Sequence, residues 1–276
     1  MATQTLTWWA VLSTVAGINV LFWAFSAHVL RPRLAAAAAD PFDRDFRRLQ
    51  LLLSAGYVAG CAWRSVMPVF DVPRLVLVDS WFSRVIVGRS VATVAELCFA
   101  AQWALLLRAA GQTADSRGVP LRRAPDRAAD RGGGDLFVAR GADHGQPGAR
   151  DRRIAMGVCA TLVVLGLLWT GPRLHGRLRL FAWGCSAAGA VYAAYMFGVD
   201  VPMYWARWLE DEAQGRVYLG MAQGLADAST RWTVTHDWAH WRSEVIWMTA
   251  YFSVAVWISI GLAHTPAWSR AGRNGS

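Results

Sequence analysis

Six long apolar runs, separated by connectors that carry arginine, constrain this chain more than any motif does. They lie near Thr7 to Leu30, Leu49 to Val69, Val91 to Leu107, Ala155 to Gly171, Leu180 to Val199 and Val245 to Ala263. Each is close to the roughly 20 residues that a helix needs to cross the hydrocarbon of a bilayer. Lipid offers no partner to a backbone N–H or C=O, so each run must satisfy its own hydrogen bonds as a helix. The expected fold is therefore all-α: a polytopic transmembrane helical bundle of six spans as written, with amphipathic helices at its interfaces.

Charge supports the same class. Only 17% of the 276 residues are charged and 55% are hydrophobic, against about 25% charged in an ordinary soluble domain. All 28 basic residues are arginine, lysine is absent, and Asn19 and Asn274 are the two asparagines, a bias expected of a GC-rich genome. The net charge of +9 does not indicate nucleic acid, because the arginines flank apolar runs instead of forming a basic face with interleaved aromatics. Cys61, Cys98, Cys159 and Cys185 all lie inside apolar runs without C-x-x-C spacing, which argues against a disulfide or metal role. No cofactor signature is present, and the bilayer is the one partner that the composition specifies.

The first run has no basic leader and is too long for a signal-peptide core, so it reads as a retained helix. Arg31, Arg33, Arg44, Arg47 and Arg48 follow it. The positive-inside rule then puts the N-terminus outside and this connector in the cytoplasm. Pro41, Phe42, Phe46 and Leu49 fit either a short interfacial segment or a solvated loop. Between Asp71 and Arg89, apolar residues recur at roughly helical spacing, which predicts an amphipathic helix lying on the outer face.

Three parts follow along the chain: residues 1–108 with three spans, a linker at 109–153, and residues 154–276 with three spans and a Trp-rich connector at 204–244. The linker is rich in Gly, Arg, Asp, Ala and Pro and holds too little apolar surface to order itself. A second reading is that it is a membrane helix translated out of frame. Shifting each codon by one base makes Arg127 to Ala139 compatible with a string containing Val-Ala-Glu-Ile-Cys, which echoes Val94-Ala95-Glu96-Leu97-Cys98. Six spans put Arg173, Arg177, Arg179 and the tail with Arg270 and Arg273 outside, against the positive-inside rule; a seventh puts both inside. It also moves the 204–244 connector to the face that holds 71–89.

Three places could carry function. Glu96 lies mid-run, where a carboxylate costs about 2.5 to 3.5 kcal/mol unless paired or turned inward; Arg64 and Arg89 are its candidate partners. Asp200 precedes Pro202 and is expected to cap the helix that the proline starts. His236, His240 and Glu244 recur every four residues, so a helix would place them on one face with a spacing able to hold a metal. The pattern lacks the Glu that follows the first His in a zincin, and an interfacial hydrogen-bonding face is the competing reading.

Three stretches, Val87 to Cys98, Asp200-Val201-Pro202-Met203-Tyr204-Trp205 and Tyr251-Phe252-Ser253-Val254-Ala255-Val256-Trp257, carry a further signal. Through them the chain resembles an uncharacterised family of multipass proteins from GC-rich proteobacteria. That resemblance implies a seven-span layout in a bacterial inner membrane and no assigned activity. The leading functional expectation is a non-enzymatic accessory, sensor or assembly component. The alternatives are a small proton-coupled transporter using Glu96 with Arg64 or Arg89, and a membrane enzyme built on His236, His240 and Glu244.

Overall fold

The computed structural model describes residues 2–35, 40–70, 74–115, 146–215 and 220–268. Its helices are α1 (Ala2–Ala35), α2 (Pro41–Val66), α3 (Val85–Asp115), α4 (Gln146–Thr170), α5 (Gly176–Tyr195), α6 (Val201–Ala213), α7 (Met221–Thr230) and α8 (Trp238–Ala263). Two-residue strands β1 (Val69–Phe70), β2 (Leu75–Val76) and β3 (Thr233–Val234) form one small sheet in that order, β1–β2 antiparallel and β2–β3 parallel. The chain is an all-α bundle, and five helical stretches among the described residues are long and apolar enough to cross a membrane. They are α1, α3, Arg153–Arg173, Gly176–Ala213 and α8.

The second predicted span, α2, does not reach that apolarity, and its burial explains why. Arg47, Gln50, Ser54, Tyr57, Cys61 and Ser65 form a polar stripe at helical spacing, and all are buried. A helix surrounded by protein on that side can carry polar groups that a lipid-facing helix cannot. By contrast α1 is apolar all round: Leu12 and Leu30 are buried, while Ile18, Leu21 and Phe25 are exposed. A helix of that kind suits a membrane and not water.

Two compact units divide the chain, and neither is continuous in sequence. The first comprises residues 1–105 with 226–265. In it α1, α3 and α8 run parallel to one another and α2 runs against them. Trp8 meets Thr249, and Asn19 meets Phe252 and Trp257; Arg47 meets Ala263, while Ser54 meets Ser259. Across α2 and α3, Gln50 faces Gln102 and Gly60 faces Ala95. The sheet therefore lies at the end where α3 and α8 begin, and the connector from α1 to α2 at the other.

Gly60 permits the close α2–α3 approach, because a Cβ there would fall 2.6 Å from the Ala95 Cβ. Gly60→Ala should consequently cost about 2 kcal/mol through overpacking, measured as a shift in the unfolding midpoint in mixed micelles.

The predicted amphipathic helix between Asp71 and Arg89 is not what forms. The described part, from Arg74 on, is β2, a single 3-10 turn at Trp81–Ser83, and the start of α3. The apolar residues of this stretch are used in strand pairing and in contact with the bundle, so their spacing reflects a folded cap. Arg74 sits at φ 72°, a conformation unfavourable for a side chain with a Cβ. Its carbonyl accepts from Thr233 N and its guanidinium pairs with Asp227. Arg84 stacks 5.1 Å from the Trp232 ring, whose Nε1 donates to Asp79. These contacts clamp the 74–84 segment onto 227–235.

Other expectations also change. Pro41 to Leu49 is the beginning of α2, capped by the Asp40 side chain accepting from Phe42 N, not a separate interfacial piece or loop. At the edges of the expected 109–153 linker, α3 continues through Asp115 and α4 starts at Gln146. Residues 116–145, and with them the out-of-frame reading, lie outside the described residues.

His264 closes α8, its N–H donating to Gly261 O. Desolvation first, then the Arg33 and Arg47 guanidiniums, hold its imidazole below the usual value of 6.5. The neutral form is favoured in the fold, so stability is full above pH 6.5 and falls as acid charges the ring. Arg33→Gln should shrink that acid loss, as read from unfolding midpoints on either side of pH 6.

Candidate functional site

The second unit, residues 106–225 with 266–276, contains a buried charged site in a spanning helix. Helices α5 and α6 are joined without a break by a π-turn, Met196–Asp200. Its origin is local. Pro202 has no N–H to give to the carbonyl four residues back, and its ring crowds that carbonyl. Widening the preceding turn relieves both problems, and Val201 N donates to Met196 O, five residues back.

The π-turn places Asp200 facing α4, where it is only 3% exposed. Its Oδ2 lies 3.2 Å from Arg153 Nε. Arg153 Nη2 also donates to the Tyr204 hydroxyl at 3.4 Å, and its guanidinium stacks 5.1 Å from the Tyr204 ring. Arg207 lies over the same ring at 5.5 Å. Phe197, inside the π-turn, fills a notch at Gly157 of α4, where a Cβ would meet its ring at 2.8 Å. A charge pair, two guanidinium–ring contacts and a knob-in-notch contact therefore converge on a π-turn, a feature often found at functional positions.

The expectation that Asp200 caps a helix after a break is not met: its backbone is helical and its side chain makes no capping bond. The proline is accommodated inside one continuous rod, so the carboxylate is available to Arg153. Sequence reasoning leaves Arg153 in the linker and misses it as the partner. A signal exists, since the run Ala155 to Gly171 is short for a span and must draw in residues from one flank.

Glu96 has a different setting. It is half-buried on α3, and Arg64 is half-buried on α2. Both act electrostatically on Cys61, so they share one neighbourhood. Arg64 also directs Nη2 to Val69 O at 3.2 Å, which ties it to the end of the bundle that holds the sheet. Arg89 is half-buried near the start of α3, two turns before Glu96 and so about 10 Å from it along the helix axis.

The histidine face is not assembled as predicted. Asp237 caps α8, its side chain accepting from Ala239 N, so His236 lies before the helix while His240 and Glu244 lie on it. Three residues at a four-residue interval share a face only if all are helical. His240 Nδ1 is 3.8 Å from Asp237 Oδ2, which ties it to the cap. The described residues contain no group of three or more His, Cys, Asp or Glu placed to hold a metal.

The first unit holds a second polar constellation, made of neutral groups. Gln50 Nε2 donates to Gln102 O at 2.8 Å, and Gln102 Nε2 donates to Gln50 O at 3.1 Å and to Ser259 O at 3.0 Å. Ser259 Oγ donates to Gln102 Oε1 at 2.6 Å and lies 3.2 Å from Ser54 Oγ. All four residues have zero exposure. Asn19 repeats the pattern between α1 and α8, donating to Phe252 O and accepting from Trp257 Nε1.

No family model, curated protein or solved structure matches the chain.

Proposed function

We propose that this protein is a non-enzymatic accessory, sensor or assembly component of a bacterial inner membrane, with the first unit as its rigid body. The carrying observation is the Gln50–Gln102–Ser259 network, which ties α2, α3 and α8 together at zero exposure. Buried amides that are spent on each other and on backbone carbonyls fix helix register.

A discriminating experiment compares Gln102→Ala with Glu96→Gln in the native host, reading the protein's level in the membrane and the size of its complex on native gels. The scaffold reading expects loss of the complex with the first variant and none with the second. A carrier built on Glu96 requires proteoliposomes whose pH-dependent uptake disappears in Glu96→Gln with the protein level unchanged, and that result would replace the reading.

Sidedness enters the same proposal. Arg47 Nη1 donates to Ala263 O, so the chain leaves α8 at the end of the unit that holds the arginine-rich α1–α2 connector. With that connector cytoplasmic, the tail is cytoplasmic and the N-terminus and sheet are outside. The parallel run of α3 and α8 adds a parity condition: the chain must cross an odd number of times between them. Two described stretches there are long enough, Arg153–Arg173 and Gly176–Ala213. A seven-span parent, with the third crossing supplied by the restored reading frame, meets the condition. As a prediction, cysteines introduced at Arg44 and at Ser269 should react with a membrane-impermeant maleimide only after inverted vesicles are prepared, and one at Asp79 only in intact spheroplasts.

A further inference from the structure

We propose that the π-turn at Met196–Asp200 is a hinge and that the Arg153–Asp200 ion pair is the lock that sets the direction in which α6 leaves the membrane. Gly176–Ala213 forms 38 residues of unbroken helix, about 57 Å at 1.5 Å per residue. The hydrocarbon is about 30 Å thick. Much of this rod must therefore extend beyond the hydrocarbon or lie along its surface, and the junction with α6 decides which.

Helix α6 has the surface suited to an interface. Trp205 and Leu209 are exposed, Trp205 and Trp208 pack edge to face at 5.7 Å, and Glu210 and Glu212 lie in its last turn and are exposed. Trp belongs at the headgroup level and the carboxylates in water, so a modest change of angle or rotation decides whether each meets its preferred medium.

A π-turn contains one more residue than the α-turn it replaces. Closing it rotates everything downstream by about 100° and removes Asp200 from α4. The open form is held by three contacts, all to α4 or through it: Asp200 to Arg153, Tyr204 to Arg153, and Phe197 in the Gly157 notch. Pro202 opposes closure by lacking the N–H that an α-turn would use. A turn biased open by Pro202 and pinned by contacts that centre on Arg153 and the Gly157 notch has the closed α-turn as its alternative, and a switch requires two such arrangements.

The test uses the full chain with its four cysteines replaced, spin-labelled at Ala188 and Ala206, in vesicles of phosphatidylethanolamine and phosphatidylglycerol. Pulsed electron–electron distances should be narrow in the parent, broad in Asp200→Asn, and narrow again in the charge-swapped Arg153→Asp/Asp200→Arg pair. An Asp200→Asn distribution as narrow as the parent's would overturn the lock. Pro202→Ala keeps both charged side chains and restores the N–H, so it covers the case in which Asp200→Asn does not fold. The hinge expects it to shift the mean distance and to slow amide exchange at residues 198–202; an unchanged distance and exchange pattern would overturn the hinge.

Discussion

Arg153→Ala should destabilise the second unit by about 3 to 5 kcal/mol, the cost of leaving a buried carboxylate without its partner. Asp200 is almost fully covered beside Arg153, and the substitution introduces no group that can pair with it. Replacing both members with apolar residues of similar volume, Arg153→Met with Asp200→Leu, should recover most of that loss, since a desolvated pair often contributes little net stability. Steric trapping in bicelles separates the two results. If the single and double variants were equally unstable, packing around Tyr204 and Phe197 would outweigh charge at this site. The contrast also bears on the hinge: the apolar double variant should be stable but free to close the π-turn, so stability and junction geometry should part company.

What is readable in the sequence follows from how strongly each feature constrains the solvent. Hydrocarbon forbids unpaired backbone, so apolar length points to a helix in each of the six runs, and each contains one, although α2 falls short of the apolarity of the other five. The cap between Arg74 and Val85 reads as a helix because its apolar spacing is compatible with 3.6 residues per turn. The same spacing serves a two-residue strand followed by a 3-10 turn when Thr233–Val234 supplies a neighbour. A partner so distant in sequence leaves no mark on local periodicity.

The candidate sites are less legible for a related reason. Glu96 attracts attention because it is charged in an apolar run, yet the buried polar groups that join helices in the first unit include Asn19, Gln50, Gln102 and Ser259, each unremarkable singly. Their signal is collective: Gln50, Ser54, Tyr57, Cys61 and Ser65 recur at three- and four-residue steps along the second run, one face of a helix. His236, His240 and Glu244 show the reverse error. The interval suits a face, but Asp237 is a better N-cap than helix-interior residue, and the cap starts the helix too late for His236. A cap at Asp200 is a sound expectation before a proline, and the π-turn makes it unnecessary.

Gln102→Ala should cost about 3 kcal/mol in the first unit and should weaken the coupling of α3 to α2 and α8, with the Gln50 Nε2 bond to the residue 102 carbonyl as the link that remains. Three hydrogen bonds of the side chain disappear, each worth about 0.6 kcal/mol on average between membrane helices, and the truncation leaves a cavity that adds a comparable amount. Ser259 Oγ loses its acceptor at 2.6 Å and has Ser54 Oγ as its remaining neighbour at 3.2 Å, so part of the loss should be recovered by that serine pair. Gln102→Glu distinguishes hydrogen bonding from volume. A neutral, protonated glutamate fills the site and can still accept from Ser259 Oγ while donating once, whereas an ionised one introduces a charge with zero exposure. The Glu variant should therefore approach the parent at acid pH and fall below the Ala variant as the carboxyl ionises, read as opposite slopes of unfolding midpoint against pH. A Glu variant indifferent to pH would mean that water reaches the centre of the bundle, and the network could no longer be what fixes the register of α2, α3 and α8.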